Sequence, residues 1–208
     1  MQKIMFNDKY GLTDLVLSGQ KTQTRRIIKT QDERLDYLRG WNLDYGFAEF
    51  GREGETLLRL CPKYYVGEMV AVAMSYKSVY ERVAKTWIYE RVTKTWEYAE
   101  EYKNKHKGLA GWKNKMFIKP DLMPYTIKIT NIRVERLQDI SDENCMREGI
   151  RDYEDYVFFE NFSSRGYNNV CYYRFLRDAF ADLINRISGK GTWESNPYVW
   201  VYDFELAK

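Results

Sequence analysis

The stretch "LTDLVLSGQKTQTRRIIK", residues 12–29, changes character at a single glycine. Before Gly19, the residues Leu12, Leu15 and Val16 recur at helical spacing, and Gly19 suits a left-handed cap after the last turn. Beyond it the chain reads as extended. Residues 19–26 then crowd Lys21, Arg25 and Arg26 together with Thr22 and Thr24, without one acid. Repulsion among three cations must be offset, either by acidic partners elsewhere in the fold or by an anionic ligand.

The same alternation of short helices and non-repeating strands continues outward. "TLLRL" (56–60) reads as a strand, and a turn at Gly67-Glu68 leads into the apolar strand "MVAVAM". In "YTIKITNIRVERL" (125–137), Ile127 and Ile129 alternate before Ile132 and Val134 shift parity, which predicts a bulge in a curling sheet. "SDENCMREG" (141–149) predicts a short helix with Ser141 as its cap, Glu148 in its last turn and Gly149 as its stop. "FLRDAFADLINRISG" (175–189) places Leu176, Ala179, Phe180, Leu183 and Ile187 on one helical stripe closed by Gly189. "NPYVWVYDFEL" (196–206) closes the chain as a strand with Tyr198, Trp200, Tyr202, Phe204 and Leu206 on one face. The fold class is therefore α+β, a small curled sheet with helices around it.

Two segments stand apart. "YERVAKTW" (80–87) is echoed nine residues later by "YERVTKTW" (89–96), too few copies for a solenoid, and is expected to be a duplication inside a charged helical insertion. The next stretch, "KNKHKGLAGWKNKMFIKP" (103–120), has six lysines, one Trp and one Phe but no acid. It fits either a surface on which bases stack and phosphates pair, or a solvated loop with Trp112 and Phe117 packed inward. "RDYEDYVFFENF" (151–162) is acidic and aromatic, and is expected to be a flexible flap or insertion.

Composition bounds the function. A chain of 208 residues with 44% hydrophobic residues can bury a core in one domain. Its 33 basic and 30 acidic side chains leave a net charge of only +3, so any anion binding must come from local clustering. Cys61, Cys145 and Cys171 are odd in number and widely spaced, which favours free thiols in a reducing compartment. His106 is the only histidine and, lying among lysines, is expected at the surface; histidine triads and His-rich zinc sites are thereby set aside. No apolar run reaches signal-peptide or membrane-spanning length, so a cytoplasmic protein without membrane contact is expected.

Four motifs in this order, "LSGQKTQTRRI", Gly67-Glu68 before a strand, "RVERLQDISDENCMREGI" and "W..NPYVWVYDF", resemble an ASCH domain protein of the phage-associated bacterial type. The hallmark Gly-x-Lys-x-x-x-x-Arg falls on Gly19, Lys21 and Arg26. The likeness runs from residue 6 to 206, as one domain over 1–208, with about 75–115 and 152–170 outside it as insertions. It implies a PUA-like β-barrel, although fold alone does not fix activity. Some small ASCH proteins are amidohydrolases that deacetylate N(4)-acetylcytidine, with a Lys as proton acceptor, a Thr as nucleophile and a Glu as proton donor. Carried onto this sequence, those roles fall on Lys21, Thr24 and Glu148. This chain is about twice as long as those enzymes, so substrate transfers less securely than fold.

The chemistry is coherent in its own right. A threonine hydroxyl needs a base, and a lysine serves only when deprotonated, a state that burial and neighbouring cations favour. The negative end of a short helix disfavours an ionised Glu148, as an acid requires, by about 0.3–1 kcal/mol. In a regular strand Lys21 and Thr24 would face opposite sides, so the dyad needs irregular backbone just after Gly19. Gly19, Arg25, Arg26, Trp112 and Lys113 are the expected ligand contacts, with no metal or other cofactor required. The expected partner is a nucleoside or RNA. Beside the hydrolase stand a non-catalytic RNA or modified-nucleotide binding module and, more weakly, a ribonuclease.

Overall fold

In a computed structural model of the chain, residues 1–30, 32–42, 46–90, 93–153, 156–162 and 168–207 are described. The elements run β1 (Gln2–Ile4), α1 (Leu12–Leu17), β2 (Gln23–Ile27), β3 (Leu38–Asn42), β4 (Phe47–Phe50), β5 (Leu58–Leu60), β6 (Met69–Val72), α2 (Tyr76–Glu90) and α3 (Thr93–His106). They continue with β7 (Thr126–Arg136), α4 (Asp142–Arg147), β8 (Arg151–Tyr153), β9 (Tyr156–Phe162), β10 (Asn168–Tyr173), α5 (Leu176–Ser188), α6 (Thr192–Ser195) and β11 (Tyr198–Ala207). The fold is thus mixed α+β. It divides into two compact units, one of Met1–Phe6, Met69–Ile127 and Leu206–Lys208, the other of Asn7–Glu68 and Lys128–Glu205.

In the first unit β1 runs parallel to β6, Gln2 opposite Val70 and Ile4 opposite Val72. Val70, Ala71 and Val72 are all fully buried, the continuous apolar run expected of a strand covered on both faces. The expected charged insertion is helical, formed by α2 and α3. Much of the 80–96 echo falls outside the described residues, including the whole of Arg91 and Val92 and the side chains of 85–96. His106, expected at the surface, is buried at 3% exposure, with its ring stacked on Tyr102 at 4.1 Å. Its neighbours in sequence are lysines, but α3 turns it inward while Lys105 and Lys107 face out. Phe117, read in one alternative as packing inward, is 62% exposed; Trp112 is half-buried.

In the second unit β2 pairs antiparallel with β11, Thr24 opposite Tyr202 and Arg26 opposite Trp200. β11 in turn neighbours β7. The strand expected within 196–206 runs Tyr198–Ala207, but Val199 to Phe204 are buried on both faces, and Leu206, expected to share the face of Trp200 and Tyr202, is 40% exposed. The parity slip in β7 is visible in burial, which marks Ile127 and Ile129 and then Ile132. Among the described residues no sheet closes into a barrel. The acidic, aromatic segment is not a loose flap where it is described: β8, β9 and β10 form an antiparallel sheet, with Phe159 fully buried and stacked on Tyr173. A second antiparallel sheet has the order β3-β4-β5. α5 buries Ala179, Phe180, Leu183 and Ile184, packing on α4 and β9. Ile187, assigned to the stripe by spacing, is 37% exposed in the last turn, and Ile184 occupies the core instead.

Candidate functional site

The local rules around Gly19 hold. α1 ends at Leu17, Gly19 turns at φ +75°, and the Lys21 amide donates to the Leu15 carbonyl at 2.9 Å. β2 begins only at Gln23, so Lys21 and Thr22 lie on irregular backbone and strand alternation does not govern Lys21. On the other side, Ser141 caps α4, and Glu148 closes it with its amide on the Asn144 carbonyl at 3.0 Å. Gly149 follows at φ +105°, where an added Cβ would lie 2.8 Å from Leu15 Cδ1. The two turns are tied by the Thr22 amide donating to the Arg147 carbonyl at 3.1 Å.

That backbone tie places Lys21 against Glu148 across 127 positions of sequence. Lys21 Nζ donates to Glu148 Oε2 at 2.5 Å and to the Glu148 carbonyl at 2.6 Å. The two side chains are 2% and 7% exposed. Arg25 completes the clamp: its Nη1 donates to Glu148 Oε1 at 3.0 Å and to Gln23 Oε1 at 2.6 Å. Its Nη2 donates to Glu135 at 2.6 Å. Arg25 is therefore spent on internal acids, whereas the sequence suggested a ligand contact.

The cluster extends through residues that sequence reasoning did not single out. Arg133 bridges Glu135 and Asp203, both at 2.9 Å. Asp203 also accepts from Gln23 at 2.6 Å, and pairs with Arg147 at 2.9 Å. The signal for Glu135 was present in "RVER", where Arg133 and Glu135 share one face of a strand. For Gln23 and Asp203 the only signal was polar residues on strands otherwise bound for the core.

No protein-family model, curated protein or solved structure matches this chain.

Electrostatics follow from the burial. Desolvation lowers the Lys21 pKa; the attraction and hydrogen bond of Glu148 oppose it, and Arg26 and Arg25 add to the lowering. Burial would raise Asp203, but hydrogen bonds from Gln23 and Asn131, with Arg147 and Arg133 close by, hold it below the usual carboxylate range. Arg26 shares β2 with the cluster and interacts with Tyr64 and Tyr202 as well as Glu148; burial pushes the Tyr64 phenol up to about 12 despite that cation. Among the described residues, Lys21, Arg25, Arg26, Arg133 and Arg147 interact with the carboxylates Glu135, Glu148 and Asp203.

Of the expected site residues, Gly19, Lys21, Thr24, Arg25, Arg26 and Glu148 lie in one unit. Thr24 is buried at 5% exposure in β2, on the strand face opposite Gln23 and Arg25. Gly19 supplies the turn, and a Cβ added there would meet nothing within 4 Å. Trp112 and Lys113 belong to the other unit, where Trp112 lies against the Tyr80 ring at 6.2 Å and Lys113 is exposed. A cavity of about 280 Å³ opens beside the turns, lined by Gln20, Gly149 and Arg151 among others.

Proposed function

We propose that this chain is an ASCH-type hydrolase with a PUA-like core, removing the acyl group from an acylated or modified nucleoside such as N(4)-acetylcytidine. The observation that carries this reading is the buried 2.5 Å contact between Lys21 and Glu148, three residues along the chain from Thr24. One proton moved along that contact turns an ammonium–carboxylate pair into a free amine beside a carboxylic acid. Desolvation pushes Lys21 towards the free amine, the state in which it can act as a base.

The first half-reaction requires the Thr24 hydroxyl, on the β2 face opposite Arg25, to come within reach of Lys21 Nζ. Lys21 then takes the hydroxyl proton as Thr24 Oγ attacks the acyl carbon. The C–N bond breaks while Glu148 gives its proton to the leaving nitrogen, freeing the nucleoside and leaving an acetyl ester on Thr24. In the second, water attacks the ester, its proton passing to Glu148, while Lys21 returns its proton to Thr24 as acetic acid departs. Arg26, two residues from Thr24 on the same face of β2, supports the oxyanion that forms at each attack.

Incubation of the purified protein with N(4)-acetylcytidine, with cytidine followed by chromatography, tests the reading. Turnover in the wild type, its loss in Lys21→Ala and Glu148→Gln, and a partial loss in Thr24→Ser, all in variants that remain folded by circular dichroism, are expected. An inactive wild type, or equal turnover by Lys21→Ala, overturns it. A second reading, an RNA-binding module without turnover, draws support from the exposed Phe117 and Met116 within the lysine-rich segment. RNA affinity that falls steeply with salt, in a protein that does not deacetylate, would favour it.

A further inference from the structure

The unit that does not hold the Lys21–Glu148 pair has a cavity of its own, about 340 Å³, formed by one side of α3 and the chain near Met123. That volume lies in the range of small-ligand pockets. Its lining is aromatic, with two carboxylates, Glu101 and Asp121, against one cation, Lys105. His106 Nδ1 is 2.7 Å from the carbonyl oxygen of Tyr102, one helical turn earlier. A carbonyl can only accept, so Nδ1 carries the proton, and in the uncharged ring Nε2 is left as an acceptor. Stacking on Tyr102 at 4.1 Å and contact with Tyr76 at 4.7 Å hold the imidazole in place. The Tyr102 hydroxyl is buried with no hydrogen-bond partner among the described residues. Glu101, beside it in sequence, adds an exposed carboxylate to the lining, and Tyr98 adds a ring that is 54% exposed.

An imidazole nitrogen that accepts, a carboxylate and several π faces all call for the same ligand chemistry. Hydrogen-bond donors on a positive group satisfy the nitrogen and the carboxylate, and rings attract a cation through their negative faces. The apolar part of the lining, Met123 above all, suits a flat ring. We propose that this cavity binds a small aromatic amine, whose N–H groups are accepted by His106 Nε2 and Glu101 while its ring packs against Tyr98 and Met123. The inference is independent of the hydrolase reading, because it uses none of that site's residues.

Titration calorimetry with three probes that share one ring tests it: tyramine, neutral p-cresol and anionic 3-(4-hydroxyphenyl)propionate. Tyramine is expected to bind at least about tenfold tighter than either of the others. Glu101→Gln, an exposed and isosteric change that leaves the fold intact, is expected to remove most of that preference. His106→Phe keeps a ring in the stack and is expected to weaken tyramine by about tenfold. Equal binding of the three probes, no heat with tyramine at millimolar concentration, or tyramine affinity unchanged in Glu101→Gln overturns the proposal. Tighter binding of the anion would assign the cavity, through Lys105, to the opposite chemistry and refute it equally.

Discussion

Glu148→Gln is the sharpest perturbation of this molecule, because the substitution keeps shape and removes only charge. Two cations, Lys21 Nζ at 2.5 Å and Arg25 Nη1 at 3.0 Å, would then face a neutral amide. Their side chains are 2% and 1% exposed, so water cannot replace the lost carboxylate. Arg25 would keep Glu135 but Lys21 would be left with the carbonyl of residue 148, and breaking a buried pair by removing one partner costs about 3–5 kcal/mol. Lys21→Met is the asymmetric control. The thioether fills the space of the lysine stem, and Glu148 keeps Arg25, so the cost is that of two unmade buried hydrogen bonds, to Glu148 Oε2 and to its carbonyl, about 1–3 kcal/mol each. The double variant Lys21→Met/Glu148→Gln removes the charge pair together and should fall short of the sum by about 1–3 kcal/mol, the size of coupling between residues in direct contact. Urea unfolding followed by tryptophan fluorescence reads all three. If Glu148→Gln costs less than about 1 kcal/mol, or if the two effects add within about 0.3 kcal/mol, the buried clamp is not what holds this region together.

Three further outcomes follow from the same geometry. Lys21 has a folded pKa below its ordinary 10.5, so below that folded value its burial as a cation weighs against the fold, and the burden lifts as pH rises towards 10.5; stability of the wild type relative to Lys21→Met should therefore increase with pH in that window, and a decrease would contradict the lowering. Asp203 runs the other way. Its folded pKa lies below its ordinary 3.8, so its contribution is present above 3.8 and is lost as pH falls through the folded value; Asp203→Asn should destabilise by about 3–5 kcal/mol at neutral pH, by a much smaller margin in acid, and a difference independent of pH would count against the network. Gly149→Ala meets both a φ of +105° and Leu15 Cδ1 at 2.8 Å, and should cost about 1–3 kcal/mol in melting experiments while displacing Glu148; a neutral effect would mean that the turn is not constrained.

How much of this was legible depended on range. The succession of α1, Gly19 and β2 follows from apolar spacing and one left-handed glycine, both local, and the structure has it where the sequence placed it. The α4 cap at Ser141 and its stop at Gly149 are equally local. The errors arose where packing overrides neighbours. His106 was judged by the lysines beside it, but a helix presents residues to different sides, and the Tyr102 and Tyr76 rings enclose it. Ile187 fits the helical stripe, yet the core of its unit stops at Ile184, one turn short of the helix end. The segment 151–162, acidic and aromatic, suggests a flap, but burial of Phe158 and Phe159 holds it in a sheet.

From the order of residues alone came the α+β class, the punctuation of its elements, and the existence of a cation cluster in need of counter-charges, because backbone preference and periodicity act over a few residues. Tertiary structure alone decided which acids answered those cations. Nothing short of the folded chain could show that Arg25 is taken up by Glu135 and Glu148, or that Lys21 meets a carboxylate 127 positions away, since an ion pair is selected by proximity in space and by the exclusion of water around it.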